Sequence, residues 1–381
     1  WVVPHMDFSR GGWWVIDDTG FPKKGVHSVG VARQYCGMLG KQDKCQVAVS
    51  VSLACDQGSI PVAWQLYLPQ DWAQDAERRK RTGVPESVRF ATKTQIALHQ
   101  LRTLLSEGAP RHCVLADAGY GVDTAFRQAL SDMGLHYAVG VTSAVVVWPP
   151  GVEPLPPETY SGKGRPPVTP RRTAQLQPMS VKALALSLPA QAFQTISWRE
   201  GTNAPLTGRF AAVRVRHAGG NAGKASLRPQ EWLLIEWPVE QAEPVKYILS
   251  TLPESTPLND LVSCAYQRWR IERDYQDLKQ DFGLGHYEGR GWRGFHHHAS
   301  LSIATYAFLM SERLIADKPA GGKKNFIERQ VPAVPQDYIP RGRPARTAAR
   351  GQLDHKLASS AELRTHRPSG TVPLLRPHQR E

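Results

Sequence analysis

The chain has 381 residues, 41% of them hydrophobic and 21% charged, which supports a sizeable core over two or three domains and excludes a disordered chain. Lys and Arg number 47 against 34 Asp and Glu, and the net charge of +13 points to a polyanionic partner, nucleic acid first. No apolar run reaches the ~18 residues of a membrane span, Trp1-Val2-Val3-Pro4-His5 is not a signal segment, and five scattered cysteines without a C-x-x-C pair give neither a disulfide framework nor a zinc ribbon. Cys36, Cys45, Cys55, Cys113 and Cys264 read as core thiols of a reducing, intracellular compartment.

The chain opens on Trp rather than Met, with strand-like residues within a dozen positions, so it reads as a fragment whose start lies upstream. Trp13 to Ile16 form a short apolar run that closes on Asp17-Asp18 and a Gly-Pro-Lys loop. Cys45 to Ala54 alternate apolar and small polar residues, and Ile60 to Leu68 follow a Gly-containing turn, so the pair predicts a hairpin. Ile96, Leu98, Leu101, Leu104 and Leu105 recur at helical spacing. Cys113 to Ala116 predict a buried strand ending at Asp117, Thr124 to Met133 a helix, and Tyr137 to Val141 another buried strand. An antiparallel hairpin followed by a βαβ unit is the order of the RNase H-like fold, a mixed α/β sheet flanked by helices.

Beyond Pro149 the composition turns to Pro, Gly and basic residues, and the short strands Phe210 to Arg216 and Glu231 to Trp237 follow. Pro257 opens a helix expected to run to about Phe282, where Gly283 and Gly285 stop it, and a last helix covers His298 to Ile315. The organisation expected is a first core segment at 1–148, a linker at 149–175, a β-rich insertion at 176–253, a helical completion of the core at 254–317 and a basic tail at 318–381. That tail holds thirteen Lys and Arg against five Asp and Glu, most of the net charge, and its composition predicts disorder.

Four places offer chemistry. Asp17 and Asp18 end a strand, where neighbouring side chains point to opposite faces, so one of the two faces a given site; a carboxylate there holds a metal or starts a turn. Asp117 lies beyond the carboxyl end of a strand, where α/β sheets place ligands, and can equally cap the helix that follows. Glu272 falls at the next position of the apolar series Leu258, Leu261, Val262, Ala265, Trp269, so an inward carboxylate is expected that needs a metal or the guanidinium of Arg268. Tyr275 and Lys279 share that flank. His296-His297-His298 diverge by about 100° each on a helix and cannot chelate one ion together, so packing or a phosphate contact is the expected role. Three carboxylates, two at strand ends and one on a helix, make an all-oxygen site for two Mg²⁺ or Mn²⁺ ions of the kind that drive in-line phosphoryl displacement. Lys23, Lys24 and Arg33 offer phosphate contacts or are ordinary solvated residues, and Trp198 is a candidate for base stacking or an ordinary core tryptophan.

The residues Val15-Ile16-Asp17-Asp18-Thr19-Gly20-Phe21-Pro22-Lys23-Lys24-Gly25 resemble the first catalytic block of bacterial insertion-sequence transposases of the DDE superfamily. Val114 to Gly121 resemble the second block. Arg268-Trp269-Arg270-Ile271-Glu272 through Lys279 resemble the third, whose signature is Tyr, Arg, Glu and Lys, except that Ala265 stands at the tyrosine position and Tyr266 is displaced by one. The resemblance implies Asp17 (with Asp18 as the alternative), Asp117 and Glu272 as metal-binding catalytic carboxylates, and Arg268 and Lys279 as DNA contacts. It further implies cleavage at element ends, 3′-hydroxyl strand transfer into target double-stranded DNA, and a homo-oligomer acting in the cytoplasm at the nucleoid. An RNase H-like nuclease without strand transfer and a non-catalytic DNA-binding remnant are the other functions these residues allow.

Overall fold

In the computed structural model, the described residues are 2–155, 158–164, 173, 177–199, 206–218 and 228–317. The tail expected at 318–381 and much of the linker expected at 149–175 lie outside them. Three strands open the fold: β1 (Trp13–Pro22), β2 (Ala32–Cys36) and β3 (Lys41–Cys55). β4 (Gly58–Leu66) returns from β3 through a two-residue turn, with Cys55 opposite Gly58, which is the predicted hairpin. Short helices α1 (Gln70–Gln74) and α2 (Ala76–Thr82) lead into α3 (Lys93–Ser106). Thr92 starts α3 with a reciprocal capping box to Gln95, which satisfies two of the donors a helix start leaves open.

The βαβ unit follows as β5 (Cys113–Ala116), the single turn α4 (Ala118–Gly121), α5 (Thr124–Asp132) and β6 (Tyr137–Val141). β5 runs parallel to β1 and β6 parallel to β5, while β3 is antiparallel to β1 and β4 antiparallel to β3. Reading across β4-β3-β1-β5-β6, the second strand of the hairpin series is the antiparallel one, which is the strand arrangement of the RNase H-like fold. Residues 45–55 of β3 are buried on both faces, as a central strand covered on both sides must be.

The remaining strands extend this same sheet. β7 (Val146–Trp148), β8 (Met179–Ser180), α6 (Val181–Ser187), β9 (Gln194–Arg199), β10 (Leu206–His217), β11 (Glu231–Glu236) and β12 (Lys246–Ser250) come next, and β12 pairs antiparallel with β6. The segment 176–253 is therefore hydrogen-bonded onto the core sheet through β12, β11 and β10. Helices α7 (Leu258–Tyr266), α8 (Trp269–Gln280) and α9 (Trp292–Ala316) complete the described part. The single helix expected from Pro257 to Phe282 is two helices, because Gln267 and Arg268 end one and begin the next, and α9 begins six residues before the expected His298.

Register assigns the faces. Trp14, Ile16, Val49 and Val51 pack with Ile96, Leu101 and Phe126 under α3 and α5. Trp13, Val15, Ala54, Leu115 and Ala138 pack with Cys264, Ile271 and Tyr275 of α7 and α8. All five cysteines are free thiols, four of them buried. Among the described residues no helix is long and apolar enough to cross a membrane.

Candidate active site

Alternation along β1 separates the two neighbouring aspartates, as expected of a strand end. Asp17 shares the face of Trp13 and Val15, opposite Ser50 in β3, and looks towards α8. Asp18 is on the α3 side, where Lys93 Nζ stands 3.0 Å from its Oδ1 and the Tyr120 hydroxyl donates to its Oδ2 at 3.3 Å. β1 continues through these residues to Pro22, so the two carboxylates lie within the strand rather than at its end.

Asp117 follows the last residue of β5 and caps α4, its Oδ1 accepting from the backbone N–H of Gly119 (2.9 Å) and Tyr120 (3.3 Å). It thus does what a helix cap does while standing at the carboxyl end of the strand beside β1. Two glycines allow this placement. A Cβ on Gly121 would lie 1.9 Å from the carbonyl oxygen of Gly140, and one on Gly140 would lie 2.9 Å from the backbone nitrogen of Ala118, so any larger residue would push the turn off β6.

Arg268, at the start of α8, joins the other two acids. Its Nη1 is 3.3 Å from Asp17 Oδ2 and its Nη2 is 2.6 Å from Glu272 Oε1. Burial pushes the Asp17 carboxyl up to about 7; Arg268 opposes that, while the charges of Asp117 and Asp18 add to it. The site therefore gathers negative charge in a poorly solvated place around one guanidinium. Among the described residues, no group of three or more His, Cys, Asp or Glu side chains is placed to hold a metal ion.

The inward position expected of Glu272 is not what α8 presents: its side chain is 61% exposed. The series from Leu258 to Trp269 assumes one continuous helix, and the break at Gln267 and Arg268 shifts the phase by one residue, so Ile271, Asp274, Tyr275 and Leu278 face inward. The buried carboxylate on this helix is Asp274, 1% exposed, whose Oδ1 accepts from Ser59 Oγ (2.7 Å) and from the Tyr306 hydroxyl (3.1 Å). Sequence reasoning missed it, although its spacing of three from Ile271 and four from Leu278 marked it.

Tyr275 is buried with its hydroxyl 2.8 Å from Ser50 Oγ, directly behind Asp17 in the register. Lys279 Nζ donates to Thr19 Oγ1 (2.6 Å) and to the Gly20 carbonyl (2.9 Å) and lies over the Phe21 ring. It thus fastens α8 to β1 on the Asp17 face. Burial holds its ammonium below the usual lysine range.

Lys23 donates to the Tyr287 carbonyl, whereas Lys24 and Arg33 are exposed. Trp198 is half-buried with its ring 4.4 Å from that of Tyr266, and Tyr266 donates to Glu236 Oε2. The tyrosine next to the signature position therefore covers Trp198 and Phe210 on the sheet. Of the histidine run, His296 and His298 pack, whereas His297 is exposed. His296 Nε2 accepts from Leu66 N–H at 3.2 Å with its Nδ1 on the Trp292 carbonyl, and His298 Nε2 lies 2.9 Å from the Gly283 carbonyl.

With this geometry in hand, comparison with known proteins adds three findings. The family model described as DDE superfamily endonuclease matches residues 1–205, a stretch that contains Asp17 and Asp117 and ends before Glu272. A probable transposase for insertion sequence element IS701 from Microchaete diplosiphon is 33% identical over 130 residues, 34% of this chain and 31% of that protein, so the match spans about a third of the relative. Among solved structures, the NurA nuclease from Sulfolobus solfataricus aligns over 82% of this chain and 86% of its own, at 8% identity and a TM-score of 0.27, a level from which nothing follows.

Proposed function

The chain belongs to the DDE superfamily of endonucleases, and from that premise we propose that it is the catalytic region of an insertion-sequence transposase, cutting double-stranded DNA at element ends and joining the freed 3′-hydroxyl to target DNA. The observation that carries the reading is Asp17 within β1 and Asp117 just beyond the carboxyl end of the parallel neighbour β5, with Arg268 of α8 reaching across to Asp17 while it pairs with Glu272 on its own helix.

Enzymes of this superfamily work with divalent ions, and the candidate donors here are all carboxylate oxygens. Asp17 is a buried carboxylate whose charge burial and a second acid disfavour, and hard cations take oxygen donors of this kind. Asp17, Asp117 and Glu272 would hold Mg²⁺ or Mn²⁺, two ions in the reading favoured here, with Asp18 closed off by Lys93. Bound there, the metal supplies activation of a water or 3′-hydroxyl and stabilisation of the leaving oxygen.

The protein's own groups do the rest. Arg268 holds the exposed Glu272 towards Asp17 and offers a guanidinium to the phosphate under attack. Lys279 fixes α8 against β1, and Tyr275 fixes it through Ser50 against β3, so that Arg268 keeps that reach. Lys24 and Arg33 are exposed for phosphate contacts, and Trp198 lies with Tyr266 on the sheet that would hold the element end. The enzyme would act as a homo-oligomer on DNA, in the cytoplasm at the nucleoid.

The test is a divalent-ion-dependent cleavage and strand-transfer assay on element ends, in wild type and Glu272→Gln. Cleavage and joining by the wild type, both lost in the variant, is the expected result. Cleavage without joining of precut ends would make the protein a nuclease of the same fold, and cleavage by neither protein would make it a DNA-binding remnant.

A further inference from the structure

Three segments far apart in sequence meet beside the far end of β1: the loop 23–31, helix α2 with the two residues after it, and the stretch 285–294, which runs from the α8–α9 connection into the first turn of α9. Val29 N–H donates to the Arg290 carbonyl at 3.0 Å, and Lys23 donates to the Tyr287 carbonyl. A Cβ on Gly291 would lie 3.4 Å from the Thr82 carbonyl, and Val29, Val84 and Phe295 share one apolar cluster. These contacts bring the solvent-facing residues of the three segments onto one surface.

That surface is basic. The three segments carry eight Lys and Arg and two Glu, namely Glu77 and Glu288. Three of the eight cations are engaged within the fold. Arg78 pairs with Asp71 at 3.5 Å and lies over Trp72, Arg79 donates to the Pro85 carbonyl at 2.9 Å, and Lys23 is held as above. The other five, Lys24, Lys80, Arg81, Arg290 and Arg293, are exposed, and among the described residues none pairs with an acid. Like charges in excess and unpaired repel one another, so the ligand that fits them is a polyanion that neutralises several at once.

We propose that Lys24, Lys80, Arg81, Arg290 and Arg293 form a platform that grips the phosphate backbone of duplex DNA flanking the cleaved bond, independently of base sequence. The inference rests on the reading of DNA as substrate and adds to it where the flank lies. From Asp17 to Pro22 the strand advances ~17 Å at ~3.3 Å per residue, and duplex DNA rises ~3.4 Å per base pair. A duplex lying along β1 would meet the platform about five base pairs from the scissile phosphate. Cations at that distance position the duplex and read no bases.

The test uses the full chain and a fluorescent duplex without element-end sequence, with binding measured by anisotropy across a salt series. Each phosphate contact contributes ~0.9 to the slope of log K against log salt. Replacing Lys80, Arg81, Arg290 and Arg293 by Gln should flatten that slope by about 3 to 4. The charge-conserving set Lys80→Arg, Arg81→Lys, Arg290→Lys and Arg293→Lys should keep it, which separates lost charge from a lost fold. An unchanged slope in the Gln variant, or an equal fall in the charge-conserving set, overturns the platform even if the wild type cleaves and joins DNA. A flattened slope in the Gln variant together with a wild type that never cleaves supports the platform and overturns the transposase reading instead.

Discussion

The two faces of the sheet at β1 receive neighbouring residues of the same type and treat them differently. On the α3 side, Asp18 meets Lys93 at 3.0 Å and the Tyr120 hydroxyl, beside a cluster of Trp14, Ile16, Ile96 and Leu101. On the α8 side, Asp17 lies among polar groups that bind α8 and α9 to the sheet: Ser50 with Tyr275, Ser59 with Asp274 and Tyr306, and Thr19 with Lys279. Its cationic neighbour, Arg268, is shared with Glu272. A closed ion pair with an apolar layer behind it is a structural arrangement. A buried acid beside a second acid, with one guanidinium divided between two carboxylates, is suited to taking up further positive charge.

The sharpest way to break this comparison is to neutralise each aspartate in turn. Asp17→Asn should lower DNA cleavage about 10³-fold, equivalent to ~4 kcal/mol of lost transition-state stabilisation, and Asp18→Asn less than about tenfold. Equal losses in single-turnover assays would mean that the faces are not functionally distinct.

Tyr275→Phe tests the polar fastening of α8. Leaving Ser50 Oγ buried without its partner should cost about 1–2 kcal/mol in urea unfolding, and an unchanged midpoint would show that the fastening contributes nothing. Lys93→Met tests the other face. Its pair with Asp18 is partly exposed, so the loss should be about 1 kcal/mol or less, seen as a small fall in Tm.

The smallest effect concerns pH. Burial lowers His296 below its ordinary 6.5, and its Nε2 must stay unprotonated to accept from Leu66 N–H. Just below pH 6.5 the unfolded chain therefore holds more protons than the folded one. The contribution of His296 to stability is complete above 6.5 and is lost as pH falls through its folded value. The stability gap between wild type and His296→Gln should narrow on acidification from pH 8 to 5, and a widening gap would contradict the assignment.

Strands that alternate or run apolar between clear turns were legible in the residues. Cys113 to Ala116 and Tyr137 to Val141 form strands with the expected bounds, and the hairpin turns at Asp56 and Gln57, just before the Gly that marked it. Asp117 at a strand end was legible for the same reason. Helix phase across Gln267 and Arg268 was not. Both residues are helical formers in backbone terms, and nothing local announces that one helix stops and another starts. That single step moved the expected inward carboxylate from Asp274 to Glu272. The antiparallel closure of β12 on β6 joins residues a hundred positions apart, beyond the reach of any local pattern.

The proposed function stands or falls with Asp17, Asp117 and Glu272 serving one divalent-ion site. Titration with Mn²⁺ followed by electron paramagnetic resonance tests it most directly, because bound ions leave the free signal. The wild type is expected to withdraw up to two ions per chain, and Asp17→Asn, Asp117→Asn and Glu272→Gln each to weaken this by at least about tenfold, equivalent to ~1.4 kcal/mol. Wild-type binding retained in all three variants would contradict it.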